Sequence, residues 1–176
     1  MILTQIGAIT KNKCQDVYVR TVHEIKKKGI DIIGLMIGDV VTEADREYKK
    51  GIDKFIQEKG LINDIYMPGF RRDIADVLAA SESVLVPSSE GMPLTVLEAM
   101  SAKKHVVGMD RGGTGELLRA ACCGTTYPAG ADAAEIAGVV LTTRNENEEA
   151  LDKGYQFCLD QTPEKYKKRL CQVFQQ

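Results

Sequence analysis

SVLVPSSEGMPLTVLEAM, residues 83–100, passes from an apolar run through a short turn into a series of good helix formers. Ser83–Val86 reads as a buried strand that Pro87 ends. Pro93 is expected at the first helical position, where the missing N–H of proline is not needed, and the helix is predicted from Leu94 to Ala102. We therefore expect free backbone amides, from about Met92 to Thr95, to point into the space above the strand end. A helix start of this kind attracts phosphate.

Two carboxylates bracket this element. Glu90 lies in the turn and Glu98 in the helix, with seven residues between them. The helix is otherwise apolar around Glu98, so its carboxylate is predicted to be partly buried and to need hydrogen-bond partners. A vicinal diol of a sugar supplies two donors, and Glu90 could accept a second set of hydroxyls. Two ordinary surface charges would have the same spacing, so spacing alone does not choose between these interpretations.

The rest of the chain alternates apolar runs with amphipathic segments. Strands are predicted at residues 2–9, 30–37, 65–67, 83–87, 105–109 and near 125–126, with helices between them, a glycine-rich loop at 110–116 and a helix at 115–121. This pattern predicts an α/β fold, a Rossmann-like parallel sheet with helices on both faces. Residues 145–176 are expected to form a C-terminal helical extension of the same domain. Ligands of such sheets bind beyond the carboxyl ends of the strands.

Composition narrows the classes of partner. Lys and Arg number 23 against 25 Asp and Glu, which gives a net charge of −2 and no general attraction for nucleic acid. Five cysteines without a C-x-x-C pair, and two histidines, are typical of reduced thiols in a cytoplasmic protein rather than of a zinc site. The first residues lack the features of a signal peptide, and no apolar run approaches membrane-spanning length.

A basic cluster follows Pro163, at Lys165, Lys167, Lys168 and Arg169. Such a cluster is typical of a solvated helix face. It also leaves open a peripheral association with the inner face of a membrane.

The segment EGMPLTVLE, followed by AMSAKKHVVGMDRGGTGE, resembles the donor-binding signature of group 1 (family 4) retaining glycosyltransferases of the GT-B fold. The similarity runs from the first strand to about residue 142. It implies that residues 1–176 form the C-terminal lobe, which binds the nucleotide-sugar donor. It also implies that the N-terminal acceptor-binding lobe is absent from this chain and that the isolated chain is inactive.

The resemblance assigns roles to individual residues. It implies that Glu98 holds the ribose, that Glu90 and the amides after it hold the donor sugar, and that the helix start holds the diphosphate. The implied catalytic residues are Glu90 and Lys13; the implied donor-binding residues are Glu98, Gly91, Met92, Pro93 by position only, Leu94, Thr95, Arg71 through its backbone, Gly112 and Gly113. Glu116 completes the family's GG-x-x-E pattern. No cofactor or metal is expected, because the chain has no D-x-D and Lys13 with the amides can balance a diphosphate.

Two positions depart from the family pattern. Ala8 stands where the family usually has an arginine directed at the phosphates, and Gly38-Asp39-Val40 replaces the usual Gly-(Asp/Glu)-Gly. Either Lys11 or another residue compensates for Ala8, or donor binding is weak. The expected function is therefore the donor-binding half of a retaining hexosyltransferase of glycan, polysaccharide or glycolipid synthesis. The alternatives are a non-catalytic nucleotide-sugar-binding or regulatory module, and half of a nucleotide-sugar 2-epimerase.

Overall fold

The computed structural model describes residues 1–144 and 148–173. Its strands are β1 (Ile2–Ile6), β2 (Ile33–Ile37), β3 (Ile65–Gly69), β4 (Ser83–Val86), β5 (His105–Met109) and β6 (Thr125–Tyr127). Its α-helices are α1 (Gln15–Lys27), α2 (Glu43–Glu58), α3 (Ile74–Ala80), α4 (Leu94–Ser101), α5 (Gly112–Ala121), α6 (Ala133–Thr143), α7 (Glu148–Leu159) and α8 (Pro163–Val173). A short 3₁₀ turn, Lys11–Lys13, precedes α1. Residues 145–147 and 174–176 of the predicted extension lie outside the described residues.

The six strands form one parallel sheet in the order β3-β2-β1-β4-β5-β6. The chain starts in the middle of the sheet, moves outward to β3, and returns through α3 to β4, which pairs with β1 on its other side. The strand order therefore reverses between β1 and β4, and a crevice opens there at the carboxyl edge. The predicted Rossmann-like sheet is confirmed.

Helices cover both faces of the sheet, as the apolar strands of a parallel sheet require. On one face α1 and α6 pack against each other and against a core that includes Leu3, Met36 and Ile136. On the other face α4 and α5 cover a second core that includes Val84, Val106 and Leu118. In β4 and β5, buried residues thus alternate between the two apolar clusters.

Several predicted boundaries shift in the structure. β1 ends at Ile6 instead of residue 9, and β2 begins at Ile33 instead of residue 30, because the two strands pair only from Ile2↔Ile33 to Ile6↔Ile37. Pro93 is not the first helical residue, as predicted, but the residue before α4, since its φ of −81° and ψ of 83° are not helical.

Capping fixes other helix ends as the sequence predicts. Thr42 precedes α2 and accepts a hydrogen bond from the amide of Asp45, while the Asp45 carboxylate accepts one from the amide of Thr42.

In the extension, α7 packs against the core at Gly154, where a Cβ would lie 2.5 Å from Cys123 Sγ. The first helix of the extension is therefore docked on the sheet domain through a close approach that a glycine allows.

Candidate functional site

A polar cavity of about 160 Å³ lies at the reversal between β1 and β4. It is lined by Gln5, Ile6, Lys13, Leu85, Val86, Pro87, Ser88, Glu90, Met92, Pro93, Leu94 and Thr95. Among the lining side chains, Lys13 Nζ donates to Glu90 Oε1 at 2.7 Å, and Ser88 Oγ lies 2.5 Å from the same oxygen. The side chains of Lys13 and Glu90 are 36% and 21% exposed, so the ion pair faces the crevice from a partly buried position.

The loop after β1 presents Lys13. The 3₁₀ turn ends at this residue, and Cys14 then turns the chain into α1 with a left-handed φ of 54°. Gln5 Nε2 donates to the Lys13 carbonyl oxygen at 2.7 Å. A Cβ at Gly7 would lie 3.6 Å from Lys13 Cδ, so the lysine stem passes over a position without a side chain. Backbone and side chain of Lys13 are therefore both held before any ligand binds.

Glu90 is held from the opposite side by the first turn of α5. Gly113 N–H donates to the Glu90 carbonyl oxygen at 2.7 Å, and a Cβ at Gly113 would lie only 2.2 Å from the Gly91 carbonyl oxygen. Gly112 has a φ of +60°, which also favours glycine. The glycine-rich loop predicted at 110–116 is thus wrong in part, because Gly112 and Gly113 begin α5 and support the Glu90–Gly91 backbone.

The start of α4 forms the outer wall of the polar cavity. Pro93 is buried, whereas Met92 and Leu94 are 69% and 64% exposed, so the mouth is open. The prediction that all amides from Met92 to Thr95 are free is wrong for Leu94, whose N–H donates to the Met92 carbonyl oxygen at 3.0 Å. Within the described part of the chain, the Thr95 amide has no acceptor. It remains available to an anion at this helix start.

A second, larger cavity of about 730 Å³ adjoins the first at Ile6 and is mainly apolar. It is lined by Ile6, Gly7, Ala8, Ile37, Gly38, Asp39, Val40, Val41, Phe70, Arg71, Arg72, Ile74 and Glu98. Two of its loops touch closely, since a Cβ at Gly38 would lie 1.9 Å from the Gly7 carbonyl oxygen. Ala8 contributes a small apolar surface to this wall, and Lys11 is exposed on the 3₁₀ turn.

Glu98 is exposed, so the prediction that its carboxylate is partly buried is wrong. The reason is helical geometry: Val96, Ala99 and Met100 occupy the face of α4 that enters the core, and Glu98 lies on the opposite face. Its side chain lines the apolar cavity, whereas Glu90 lines the polar one. The two acids therefore bracket the start of α4 from neighbouring cavities.

Arg71 follows β3 and lines the apolar cavity. Its guanidinium is directed to Asp73, with 2.8 Å between Nε and Oδ1, and this pairing raises the pKa of Arg71 and lowers that of Asp73. The side chain is thus engaged within its own loop. Glu116 is exposed on α5, one turn beyond the two glycines.

Neither a metal-binding cluster nor a membrane-spanning helix occurs in residues 1–144 and 148–173. No three His, Cys, Asp or Glu side chains come together there in a way that could hold a metal ion. In the same residues, every helix is too short or too polar to cross a bilayer.

The strand order and the crevice at its reversal define a Rossmann-like lobe of the GT-B fold. The model of the family described as Glycosyl transferases group 1 matches residues 1–156, and the chain belongs to this family.

Individual relatives agree with this assignment. The curated alpha-D-kanosaminyltransferase of Streptomyces kanamyceticus is 25% identical over 130 residues, which are 72% of this chain and 32% of that enzyme. Anabaena HepE, solved in complex with UDP, superposes with a TM-score of 0.79 and 22% identity over 89% of this chain and 43% of HepE. The C-terminal domain of the group 1 family protein LpcC from Francisella tularensis has a TM-score of 0.77 and 23% identity, covering 91% of this chain and 85% of that domain. The chain thus spans about a third of the curated relative.

Two polar residues of the polar cavity, Gln5 and Ser88, are not among the site residues that the sequence predicts. Ser88 lies in the turn before Glu90, and Gln5 lies in a strand that is otherwise mainly apolar. A polar residue that interrupts a buried strand is the signal that could have drawn attention to Gln5.

Proposed function

We propose that this chain is the donor-binding lobe of a retaining glycosyltransferase, which moves a hexosyl unit from a nucleoside diphosphate sugar to an acceptor in glycan, polysaccharide or glycolipid synthesis. One observation carries this proposal: an apolar cavity with the Glu98 carboxylate at its wall adjoins a polar cavity that contains Lys13 and Glu90. A nucleoside has the size and polarity for the first, and a diphosphate with its sugar for the second. Along such a donor, Glu98 would then contact the ribose, Lys13 and the helix start would contact the diphosphate, and Glu90 would contact the sugar.

The proposed chemistry is the departure of a diphosphate from an oxocarbenium-like anomeric carbon. Lys13 Nζ and the Thr95 amide would stabilise the charge that develops on the leaving group. Glu98 would accept hydrogen bonds from the ribose diol, and Glu90 from hydroxyls of the donor sugar. Because both carboxylates are engaged with hydroxyls, they orient the donor instead of acting as the acid and base of a glycosidase.

Lys13 Nζ and Glu90 Oε1 form an ion pair at 2.7 Å. A bound diphosphate would compete for Lys13 Nζ, and the released Glu90 oxygen would accept a sugar hydroxyl. Donor binding is thus an exchange of partners in which both Lys13 and Glu90 keep a hydrogen-bond partner. Since Lys13 supplies the positive charge, we propose that transfer needs no divalent metal, which persistence of transfer in excess EDTA by the complete two-lobed enzyme would test.

We further propose that a second, acceptor-binding lobe completes the active site. Four apolar side chains at the cavity mouths are strongly exposed: Val41 (74%), Phe70 (71%), Met92 (69%) and Leu94 (64%). An exposed apolar rim of this kind is typical of a surface that another domain or a ligand covers. The isolated chain should therefore bind donor without transferring sugar, and sugar transfer by the chain alone would contradict this proposal.

Calorimetry with UDP-, GDP- and ADP-sugars tests donor binding. We expect one nucleotide series to bind the wild-type chain and Glu98→Ala to weaken that binding about tenfold or more, because charge-assisted hydrogen bonds to the diol are lost. Glu58→Ala removes an exposed carboxylate on α2 and serves as the matched control, expected to leave affinity unchanged. Absence of binding to all three series would refute the donor-site assignment.

Ala8 supports a second candidate, a non-catalytic nucleotide-sugar-binding module. This position adds a small apolar surface where the family usually has a cation. A chain joined to its acceptor lobe that binds donor but produces neither transferred sugar, hydrolysed donor nor a 2-epimer would favour the module. Formation of the 2-epimer would instead favour the epimerase.

We also propose a peripheral, cytoplasmic-side membrane association through α8. Lys165, Lys167 and Lys168 are exposed there beside Tyr166 and Leu170, which are 60% and 40% exposed. Cations next to apolar side chains suit an anionic lipid surface. Co-sedimentation with phosphatidylglycerol vesicles should fall when these three lysines become glutamine, and should persist when Lys49, Lys50 and Lys54 of α2 are changed instead. Equal sedimentation of both variants would contradict the proposal.

A further inference from the structure

Gln5 is a polar residue in the middle of a buried strand. It lies on β1, is 3% exposed, and forms part of the lining of the polar cavity. Its Nε2 donates to the Lys13 carbonyl oxygen, and among the described residues its buried Oε1 has no hydrogen-bond partner. A buried amide that satisfies only one of its two ends reduces stability relative to an apolar side chain of the same size. Packing alone therefore does not explain a glutamine here.

The bond from Gln5 acts at the point where the chain turns. The 3₁₀ turn ends at Lys13, and Cys14 adopts a left-handed φ of 54°, which is unfavourable for a residue with a side chain. From this turn the Lys13 side chain reaches Glu90, 77 residues away in the sequence. The Lys13 carbonyl thus fixes the base of a long side chain whose tip must meet a specific oxygen.

We propose that Gln5 is a positioning residue for Lys13. Its buried amide holds the Lys13 backbone so that the ammonium stands beside Glu90 at the mouth of the polar cavity. The part of this inference that concerns a diphosphate rests on the proposed function above. The part that concerns the placement of Lys13 does not.

Gln15 provides a matched control. It is also fully buried, its Nε2 donates to the Ala8 carbonyl oxygen at 2.8 Å, and its Oε1 likewise has no partner in the described residues. Gln15 therefore anchors the same loop at its other end, at the wall of the apolar cavity. A change to methionine removes one amide-to-carbonyl bond at either position, but only the change at Gln5 removes the bond to Lys13.

The first experiment needs no ligand. Amine acetylation is followed by mass spectrometry on the peptide that contains both Lys13 and the exposed Lys11. The labelling rate of Lys13 divided by that of Lys11 reports how well Lys13 is held, and a higher ratio means that Lys13 is held less well. We expect Gln5→Met, and Gln5→Glu as a second variant that keeps the shape without the donor, to raise this ratio about two- to tenfold, the range expected for loss of one hydrogen bond. Gln15→Met should leave it unchanged. A wild-type ratio in folded Gln5 variants would overturn the proposal.

The second experiment separates the diphosphate from the nucleoside. Binding of UDP and of uridine is measured for wild type, Gln5→Met, Lys13→Met and the double variant. We expect Gln5→Met to weaken UDP binding and not uridine binding, and to add nothing further when Lys13 is already methionine. Equal weakening of UDP and uridine, or additive losses in the double variant, would contradict a role through Lys13. If the wild type binds none of UDP, GDP and ADP, the proposed function fails, while the labelling ratio still decides the role of Gln5.

Discussion

The two adjoining cavities are built on opposite physical principles. In the polar cavity, Lys13, Ser88 and Glu90 satisfy one another across two loops before any ligand arrives. In the apolar cavity, Phe70 and Val41 are more than two-thirds exposed, and desolvation of such surfaces is the driving force that a planar base would use. The polar cavity is thus built on charged partners and the apolar cavity on exposed apolar area, which under the proposed function would favour a diphosphate in the first and a planar base in the second.

Close backbone contacts between loops support both cavities. The loops after β1 and β2 meet at Gly7 and Gly38, and the loop after β4 meets α5 at Gly91 and Gly113. A Cβ at Gly38 would overlap the Gly7 carbonyl oxygen, and a Cβ at Gly113 would overlap the Gly91 carbonyl oxygen. Because the two contacts serve different cavities, each cavity can be disturbed separately.

The largest effect is expected from Gly113→Ala. The added Cβ would lie 2.2 Å from the Gly91 carbonyl oxygen, so α5 and the Glu90 loop must separate. We expect the free energy of unfolding, measured with urea, to fall by about 2–3 kcal/mol, as for other overpacked sites. Gly138→Ala is the control, since a Cβ there meets nothing within 4 Å and alanine favours a helix. Equal stability of the two variants would show that the contact at Gly113 is not required.

Lys13→Met should weaken binding of UDP and leave binding of uridine almost unchanged. We expect the affinity for UDP to fall about ten- to a hundredfold, because a charged hydrogen bond to phosphate is lost. Uridine binding should stay close to wild type, since the apolar cavity is unchanged. Lys28→Met removes an exposed cation that lines neither cavity and serves as the control. A comparable fall in uridine affinity would mean that the two cavities are not independent.

Phe70→Ala tests the apolar cavity and should have the smallest effect. The exposed ring offers one face to a bound base, and we expect calorimetric affinity for uridine and UDP to fall together by about threefold. Ile62→Ala removes an apolar side chain that is 65% exposed outside both cavities and should change neither affinity. A fall for UDP alone would place Phe70 with the phosphates instead of the base.

The local sequence predicted most of the fold correctly. Apolar runs of two to eight residues between amphipathic segments indicated the strands, and Thr42 with Asp45 indicated the start of α2. Boundaries were less accurate, because the end of a strand depends on where its neighbour stops pairing, as at Ile6 and Ile37. The predicted burial of Glu98 was wrong for a related reason: the apolar composition of a helix does not state which of its faces meets the core.

The sequence by itself determined the alternation of strands and helices, the helix start near Pro93 and the pair of acids that brackets it, because these follow from residues close together in the chain. Only the tertiary structure decided that Lys13 contacts Glu90 from 77 residues away, that Gly113 supports Glu90, and that Gln5 holds Lys13. The physical reason is the strand order. It brings β1 beside β4, and so sets two distant loops against each other at one edge of the sheet.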